Sequence, residues 1–564
     1  MRSFQVLSTN FGMGQDFLQT WATWRADPQR PQQLHFCAVL PQAVSTASLL
    51  SQAPEGCQQL AEQLAAQIWG LLPGVHRLAF EEEQVLLTLW VGDANTQLRQ
   101  QHSSAHVVLA HPPLACDSHG VKTLAKHCRR GTHMLLAQDA AHLPPLLQSA
   151  GFEWSPEHPL QAIYNPRWEP KQRYTQQVWN QPQHAVVIGA GLAGAAIARS
   201  LATRGWQVTV IAQGNAPADG ASGLPAGLFC PHVSPDDSVL SRLSRSGVRM
   251  TLQRLQQLCE PGADWAHSGV LEHAPEGSGA LPRQYEQSQA SAWSHTAQPH
   301  HLEPAHLPPN TDAIWHPNAG WVKPAQLVRA QLNHPRIQFV PNTSIQGLRQ
   351  DGNSWQCLDP NGHAVMQAPL VVLATGPATG GLLPLGHTLP LQPVRGQVTW
   401  GLHTDGAAHT IPPYPANGSG NLVPYIPTQA GKAWFMGSTF ERDVTELPAP
   451  NSDQATAHGS NLAKLRQLLP QTAMELQPWF TLGDARCQNT WAQVRCTSHD
   501  RLPIAGTLSP EMPGLAVMTA MGSRGLTLSI LCAEMLAASL HAEPLPLDAK
   551  LARHLSTERI QRSG

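Results

Sequence analysis

Gly189, Gly191 and Gly194 stand directly after the apolar run His-Ala-Val-Val-Ile at 184–188 and open a helix-like segment that reaches about Arg204. At that spacing the first glycine makes a tight turn and the second lets a pyrophosphate approach the backbone. The third lets helix and strand pack closely. Glycine-rich turns also arise for packing alone, so the triplet takes its meaning from context. A second strand-like run, 207–211, stands where a dinucleotide-binding unit requires it. The acid expected on the ribose hydroxyls at the end of that run is absent, and Gln213 stands there as a neutral hydrogen-bonding replacement.

Three later segments favour FAD over NAD. The run Leu-Val-Val-Leu at 370–373 ends in Ala374, Thr375 and Gly376, a turn that brings backbone close to a bound dinucleotide. Ser222 lies in the Gly-Ala-Ser-Gly turn just past the second strand. Gly522, Ser523, Arg524, Gly525 and Leu526 precede an apolar helical segment at 528–540. A helix N-terminus aimed at the flavin N1/C2 carbonyl would stabilise the negative charge of reduced flavin. The expected cofactor contacts are therefore Gly189, Gly191, Gly194, Gln213, Ser222, Ala374, Thr375, Gly376, Gly522, Ser523, Gly525 and Leu526. No histidine or cysteine holds a motif position that demands a covalent flavin bond, so non-covalent FAD is expected.

These turns need α/β units to carry them, and the chain has two such openings. The first is Phe-Gln-Val-Leu at 4–7, followed by Asn10, Phe11, Gly12, Met13 and Gly14 and a helical stretch through Trp24. Runs 34–40, 85–90, 106–109 and 133–137 read as further strands with helical segments between them. The polar, proline-broken stretch 164–183 reads as a linker. A long helix is expected at 239–258, and short strands punctuated by glycine and proline at 390–440. The expected organisation is an α/β domain at 1–163, the linker, and an α/β domain at 184–564. The second carries an inserted antiparallel-sheet substrate subdomain at about 385–490.

Composition bounds the remaining possibilities. With 42% apolar and 13% charged residues in 564, the chain is globular and not disordered. It has no apolar run of about 18 residues, so no membrane span is expected, and nothing at its N-terminus resembles a signal peptide. A cytoplasmic location is expected. The ten cysteines include no C-x-x-C pair, and the 28 histidines do not cluster at H-x-x-x-H spacing with a carboxylate. No metal site or disulfide framework is expected on those grounds. A net charge of −2 gives no general argument for nucleic acid, and a monomer is compatible with the sequence.

From the glycine triplet onward the chain resembles the D-amino-acid oxidase/glycine oxidase-type flavoproteins. It resembles more closely the oxidoreductase half of the bifunctional enzymes of tRNA 5-methylaminomethyl-2-thiouridine biosynthesis. The segments that carry this are Gly220–Gly223 with Gly227 and Pro231; Gly320–Pro324; Pro393–Gln397; Gly437–Glu441; Val494–Thr497 with Asp500, Leu502 and Pro503; and Gly522–Leu526. In that family a Rossmann-type methyltransferase domain precedes the flavin domain, and Cys37–Val39, Gly92-Asp93 and Ala150–Phe152 fall where its segments fall. The family's S-adenosylmethionine loop, Gly-Phe-Gly-Thr-Gly, reads Asn10-Phe11-Gly12-Met13-Gly14 here. Its ribose-binding acid falls at Leu40, and its Asp-Gly-Phe-Ala-Pro segment near Ala110-His111-Pro112-Pro113-Leu114. Asp93 is the one acid left as a cofactor contact. These departures predict an eroded methyltransferase-like domain that no longer uses S-adenosylmethionine.

The resemblance implies a tRNA substrate whose wobble uridine carries a carboxymethylaminomethyl group. Oxidation beside the nitrogen gives an imine, and hydrolysis releases glyoxylate and leaves aminomethyl-uridine. The substrate carboxylate calls for a forked arginine. Arg495 matches the carboxylate-binding arginine of glycine oxidase-type enzymes, with a structural pair to Asp500 as its alternative. Arg524 is expected to face flavin or substrate, and Arg395 is as well explained by structure. For tRNA, Lys122, Lys126, Arg129 and Arg130 at helical spacing would form a basic face with Arg167, Lys171 and Arg173; a solvated helix face explains them equally well. Two other functions share these residues. One is a free glycine, sarcosine or D-amino-acid oxidase, which would have no use for the N-terminal domain. The other is a fully bifunctional oxidoreductase and methyltransferase.

Overall fold

The computed structural model describes residues 3–111, 118–136, 144–169, 178–179, 181–273, 281–282, 285, 289–403, 410–481 and 490–561. The chain forms two compact units. The first takes in Met1–Gln183 with Thr203–Trp206 and Glu534–Arg553; the second takes in His184–Ala202, Gln207–Ala533 and His554–Gly564.

The first unit is built on an eight-stranded sheet in the order Gly74–Phe80, Val85–Val91, Gln33–Leu40, Ser3–Ser8, Ala105–Ala110, Cys128–Leu136, Gln161–Tyr164, Phe152–Trp154. Ser3–Ser8 pairs in parallel with both Gln33–Leu40 and Ala105–Ala110. Every residue of Gln33–Leu40 and of Val85–Val91 is buried, as parallel strands covered on both faces require. Helix Gln15–Ala26 turns Phe17, Leu18, Trp21 and Trp24 into this core. Gly14, at its N-cap, adopts φ 85°. The reversal of strand order beside Ser3–Ser8 makes the carboxyl ends of Ser3–Ser8 and Ala105–Ala110 the crevice where open α/β sheets bind ligands.

Two expectations change here. Helix Ser118–Ala125 ends before Arg129 and Arg130, which lie on strand Cys128–Leu136, so the four basic residues do not share a helical face. Two consecutive arginines on an exposed strand start carry no apolar alternation, which is why the strand begins earlier than its sequence suggests. Arg130 is also engaged, donating to Pro166 O (2.6 Å) and Trp168 O (3.2 Å). Lys171, Arg173 and Pro112–Leu114 lie outside the described residues. Tyr164, expected to open the linker, closes strand Gln161–Tyr164.

The first unit also buries an ion cluster. Arg204 donates to Glu534 Oε2 (2.9 Å) and Glu543 Oε2 (2.8 Å), with all three side chains at most 5% exposed. Burial by itself would lower the pKa of Arg204, but the two carboxylates raise it.

The second unit contains a six-stranded sheet in the order Ile337–Val340, Gln207–Ile211, His184–Ile188, Leu370–Leu373, Leu515–Thr519, Ile504–Thr507. The first five run parallel, and Ile504–Thr507 closes the edge antiparallel. A nine-stranded sheet, largely antiparallel, includes Leu391–Leu402, Asn421–Thr428, Gly431–Gly437 and Thr490–Ser498. It also draws on Val270–His273 and Ala313–His316, so it extends beyond 385–490. The long helix runs Val239–Leu258, capped by Ser238 Oγ accepting from Ser241 N. Among the described residues no helix is long and apolar enough to cross a membrane.

Candidate active site

The parallel strands of the second unit end at a cleft of about 640 Å³, within the roughly 300–1,000 Å³ usual for cofactor sites. Gly189, Gly191, Gln213, Ser222, Ala374, Thr375, Gly376, Arg495, Gly522, Ser523, Gly525 and Leu526 all line it. They come from turns after four different strands and from strand Thr490–Ser498, so only the parallel sheet brings them together. Gly194 and Arg524 are not part of its lining.

Close packing explains the three glycines. Gly189 has φ 108°, and a Cβ there would stand 2.5 Å from Ala374 O; at Gly191 it would stand 2.9 Å from Ser222 Oγ. At Gly194 it would lie 1.8 Å from Gly189 O. Gly194 therefore works behind the loop, letting helix Leu192–Thr203 sit against the turn. Ser222 Oγ accepts the Leu192 N–H (2.9 Å), which ties the second-strand loop to the start of that helix and leaves the hydroxyl proton for a ligand. Backbone amides, two helix starts and space that Cβ atoms would fill make a cradle that fits a dinucleotide pyrophosphate. Ser222→Ala should weaken FAD binding about five- to tenfold, roughly one lost hydrogen bond, as read by flavin fluorescence titration; unchanged affinity would confine the hydroxyl to loop structure.

The cleft also contains residues that local motifs do not reveal. Asp219 lines it on the loop that follows Gln207–Ile211, and its Oδ2 accepts from Ala216 N (3.2 Å). It supplies a carboxylate on the loop where Gln213 replaced the expected acid; reading further past the strand end would have found it. Residues 343–346 join through the pairing of Ile337–Val340 with Gln207–Ile211, for which no local signal exists.

Arg495 lies opposite Val394 in the strand pair Leu391–Leu402 and Thr490–Ser498. Its Nη2 donates to Thr439 O (2.9 Å), and its guanidinium stands 5.3 Å from the Phe440 ring centroid. Nε is buried with no hydrogen-bond partner, and burial lowers the group's pKa. Asp500 is not its partner, because that carboxylate takes Arg559 Nε (2.9 Å) and Ser498 Oγ (2.7 Å). Lys464, which sequence reasoning did not single out, donates to Ser438 O (2.7 Å). Burial and then the charge of Arg495 lower its pKa. Arg395 lies within Leu391–Leu402 and is consumed by Glu441, Asp453 and Glu446 O. Arg524 is half-buried near His232, whose pKa its charge lowers after the larger effect of burial.

The crevice of the first unit has a different character. Leu40 is 2% exposed. Asn10 Oδ1 accepts Gly12 N–H (3.1 Å), and the Phe11 ring lies 3.1 Å from where a Gly14 Cβ would stand. Asp93 Oδ1 accepts from Thr96 N (2.9 Å) and Thr96 Oγ1 (2.7 Å), capping helix Ala94–Gln100. His111 Nε2 meets Asp16 Oδ2 at 2.7 Å.

Comparison with known proteins agrees with this geometry. Residues 184–539 match the family of FAD dependent oxidoreductases, and the second unit is an oxidoreductase of that class. Its fold is similar to glycine oxidase from Geobacillus kaustophilus, with a TM-score of 0.50 and 20% identity over 65% of this chain and 97% of that one. The whole chain is 47% identical to the tRNA 5-methylaminomethyl-2-thiouridine biosynthesis bifunctional protein MnmC of Delftia acidovorans, covering 99% of this chain and 92% of that protein. The protein of the same name from Acidovorax sp. is 48% identical, at 99% and 91% coverage. The chain belongs to this MnmC family.

Proposed function

We propose that the chain removes the carboxymethyl group from 5-carboxymethylaminomethyl-(2-thio)uridine at the tRNA wobble position, leaving 5-aminomethyl-(2-thio)uridine. The observation that carries this reading is Arg495: a half-buried guanidinium at the cleft, whose buried Nε has no hydrogen-bond partner and which makes no ion pair to Asp500. FAD, bound non-covalently, supplies the two-electron acceptor for the carbon–nitrogen bond. The Arg495 fork holds the substrate carboxylate, and Phe440 buttresses the guanidinium plane. That contact fixes the carbon beside the nitrogen, and positioning is the protein's main contribution in a cofactor enzyme. Water then adds to the imine and the C–N bond breaks to give glyoxylate and the primary amine. Work on tRNA implies a cytoplasmic location.

We infer further that the first unit no longer methylates this product and serves to dock tRNA. Binding S-adenosylmethionine needs close backbone approach at the glycine loop and an acid on the ribose diol. Asn10 and Leu40 supply neither, and Asp93 is already engaged as a helix cap. Losing a carboxylate–diol contact costs roughly 1.5–3 kcal/mol, about ten- to a hundredfold in affinity. Incubating the purified, FAD-loaded protein with carboxymethylaminomethyl tRNA and S-adenosylmethionine, then analysing nucleosides by mass spectrometry, tests both readings. Aminomethyl-uridine and glyoxylate should form, and methylaminomethyl-uridine should not. Failure to consume the substrate would end the first reading; appearance of the methylated nucleoside would end the second alone.

A further inference from the structure

We propose that Cys230, Glu272 and His316 form a binding site in the second unit for one divalent cation of the zinc class. Their ligand atoms all lie within 4.8 Å of one another, and His316 Nε2 stands 3.4 Å from Glu272 Oε2. Tetrahedral zinc, with bonds of about 2.0–2.3 Å, sets neighbouring donors roughly 3.3–3.6 Å apart. The imidazole and the carboxylate already stand at that spacing, and the thiol, within 4.8 Å of both, need close by no more than about an ångström.

The fold aims these groups at one point. Glu272 lies on Val270–His273 and His316 on Ala313–His316, antiparallel neighbours in which Val270 faces His316 and Glu272 faces Ile314. Glu272 and His316 are therefore diagonal neighbours on one sheet face. Cys230 follows Gly227–Phe229, which belongs to a separate three-stranded sheet. A cation held by all three would staple the two sheets together.

Outer contacts orient the donors as metal sites require. Ser294 Oγ lies 2.8 Å from His316 Nδ1; by accepting the Nδ1 proton it leaves Nε2 its lone pair. Asn417 Nδ2 donates to Glu272 Oε2 (2.8 Å), and the His316 side chain is fully buried. The donor set also selects the ion. A thiolate with an imidazole and a carboxylate suits zinc or a similar borderline metal, not the all-oxygen preference of magnesium or calcium. Thiolate and carboxylate together neutralise a 2+ charge, so the occupied site adds no net charge to a buried place. Three protein donors leave a fourth position for water. The three residues lie far apart in sequence and share no spacing motif, which is why the sequence alone suggested no metal.

FAD-loaded protein, stripped of metal by chelator, would be titrated with Zn²⁺ and with Mg²⁺ by calorimetry. Crystals grown with Zn²⁺ would be measured across the zinc absorption edge. One tight zinc equivalent is expected, with no magnesium counterpart and an anomalous peak between Cys230, Glu272 and His316. Cys230→Ser should weaken that equivalent more than about a hundredfold. Ser294→Ala, which keeps all three ligands, should weaken it about ten- to a hundredfold by removing the hydroxyl that orients the His316 ring, and it carries the test where Cys230→Ser does not fold. No tight equivalent, an affinity unmoved by Ser294→Ala, or a peak elsewhere would each overturn the site.

Discussion

Arg495→Ala should lower kcat/KM for carboxymethylaminomethyl tRNA by about a hundred- to a thousandfold while FAD content stays at that of the wild type. Removing one partner of a buried, charge-assisted contact costs roughly 2–5 kcal/mol. If Arg495 holds the substrate carboxylate as proposed, the lost partner is the group that orients the reacting carbon. Arg495→Lys is the more discriminating variant. Lysine keeps the charge but loses the planar fork. Because Nη2 is tied to Thr439 O and the plane rests by Phe440, an ammonium would not reproduce the direction of the remaining donors. Its expected effect is about tenfold or more on kcat/KM, with flavin binding unchanged. Arg495→Lys with unaltered turnover at low substrate concentration would make Arg495 a structural residue and move the carboxylate to another group. A fall in flavin content equal to the fall in activity would place it in cofactor binding instead.

Gly194→Val should yield a colourless protein that added FAD does not restore. Overpacking typically costs about 1–3 kcal/mol, and this site is worse than typical. The obstacle is the Gly189 backbone oxygen at 1.8 Å, which no side-chain rotation relieves. To accommodate the new Cβ, helix Leu192–Thr203 must move off the turn, carrying with it the Leu192 N–H that Ser222 holds. If these amides hold the FAD pyrophosphate, a shift of even an ångström displaces them, so FAD affinity should fall at least roughly a hundredfold. Absorbance of the purified protein and its near-UV circular dichroism separate loss of flavin from loss of fold. A yellow preparation with stoichiometric flavin would show that FAD binding does not depend on the close approach of helix and turn at Gly194.

Much of the lining of the second unit's cleft was legible because its signals are local. The Gly189/Gly191/Gly194 spacing, the Ala374–Gly376 turn and the Gly522–Leu526 turn each follow a continuous apolar strand, and a buried parallel strand leaves that trace in any sequence. Likewise, the side-chain chemistry of Leu40 and Asn10, on which the proposed loss of S-adenosylmethionine binding rests, is read directly from the sequence. Other features had no local trace. Arg129 and Arg130 look helical by spacing, yet strand pairing with Ala105–Ala110 places their segment in the sheet, because tertiary pairing overrides weak propensity. Asp500 is near Arg495 in the chain, but Arg559, which folds back from near the C-terminus, takes its carboxylate.

What the amino-acid sequence determined alone, then, was the order of the two α/β units and the glycine turns that line the cleft of the second. Those depend on backbone conformation within a few residues. Which charged groups meet was decided only by the fold. Arg204 finds Glu534 and Glu543 more than three hundred residues away, and Cys230, Glu272 and His316 converge from two sheets. Buried polar groups must find partners wherever the packing brings them, and the sheet topology that sets those meetings is a property of the whole chain.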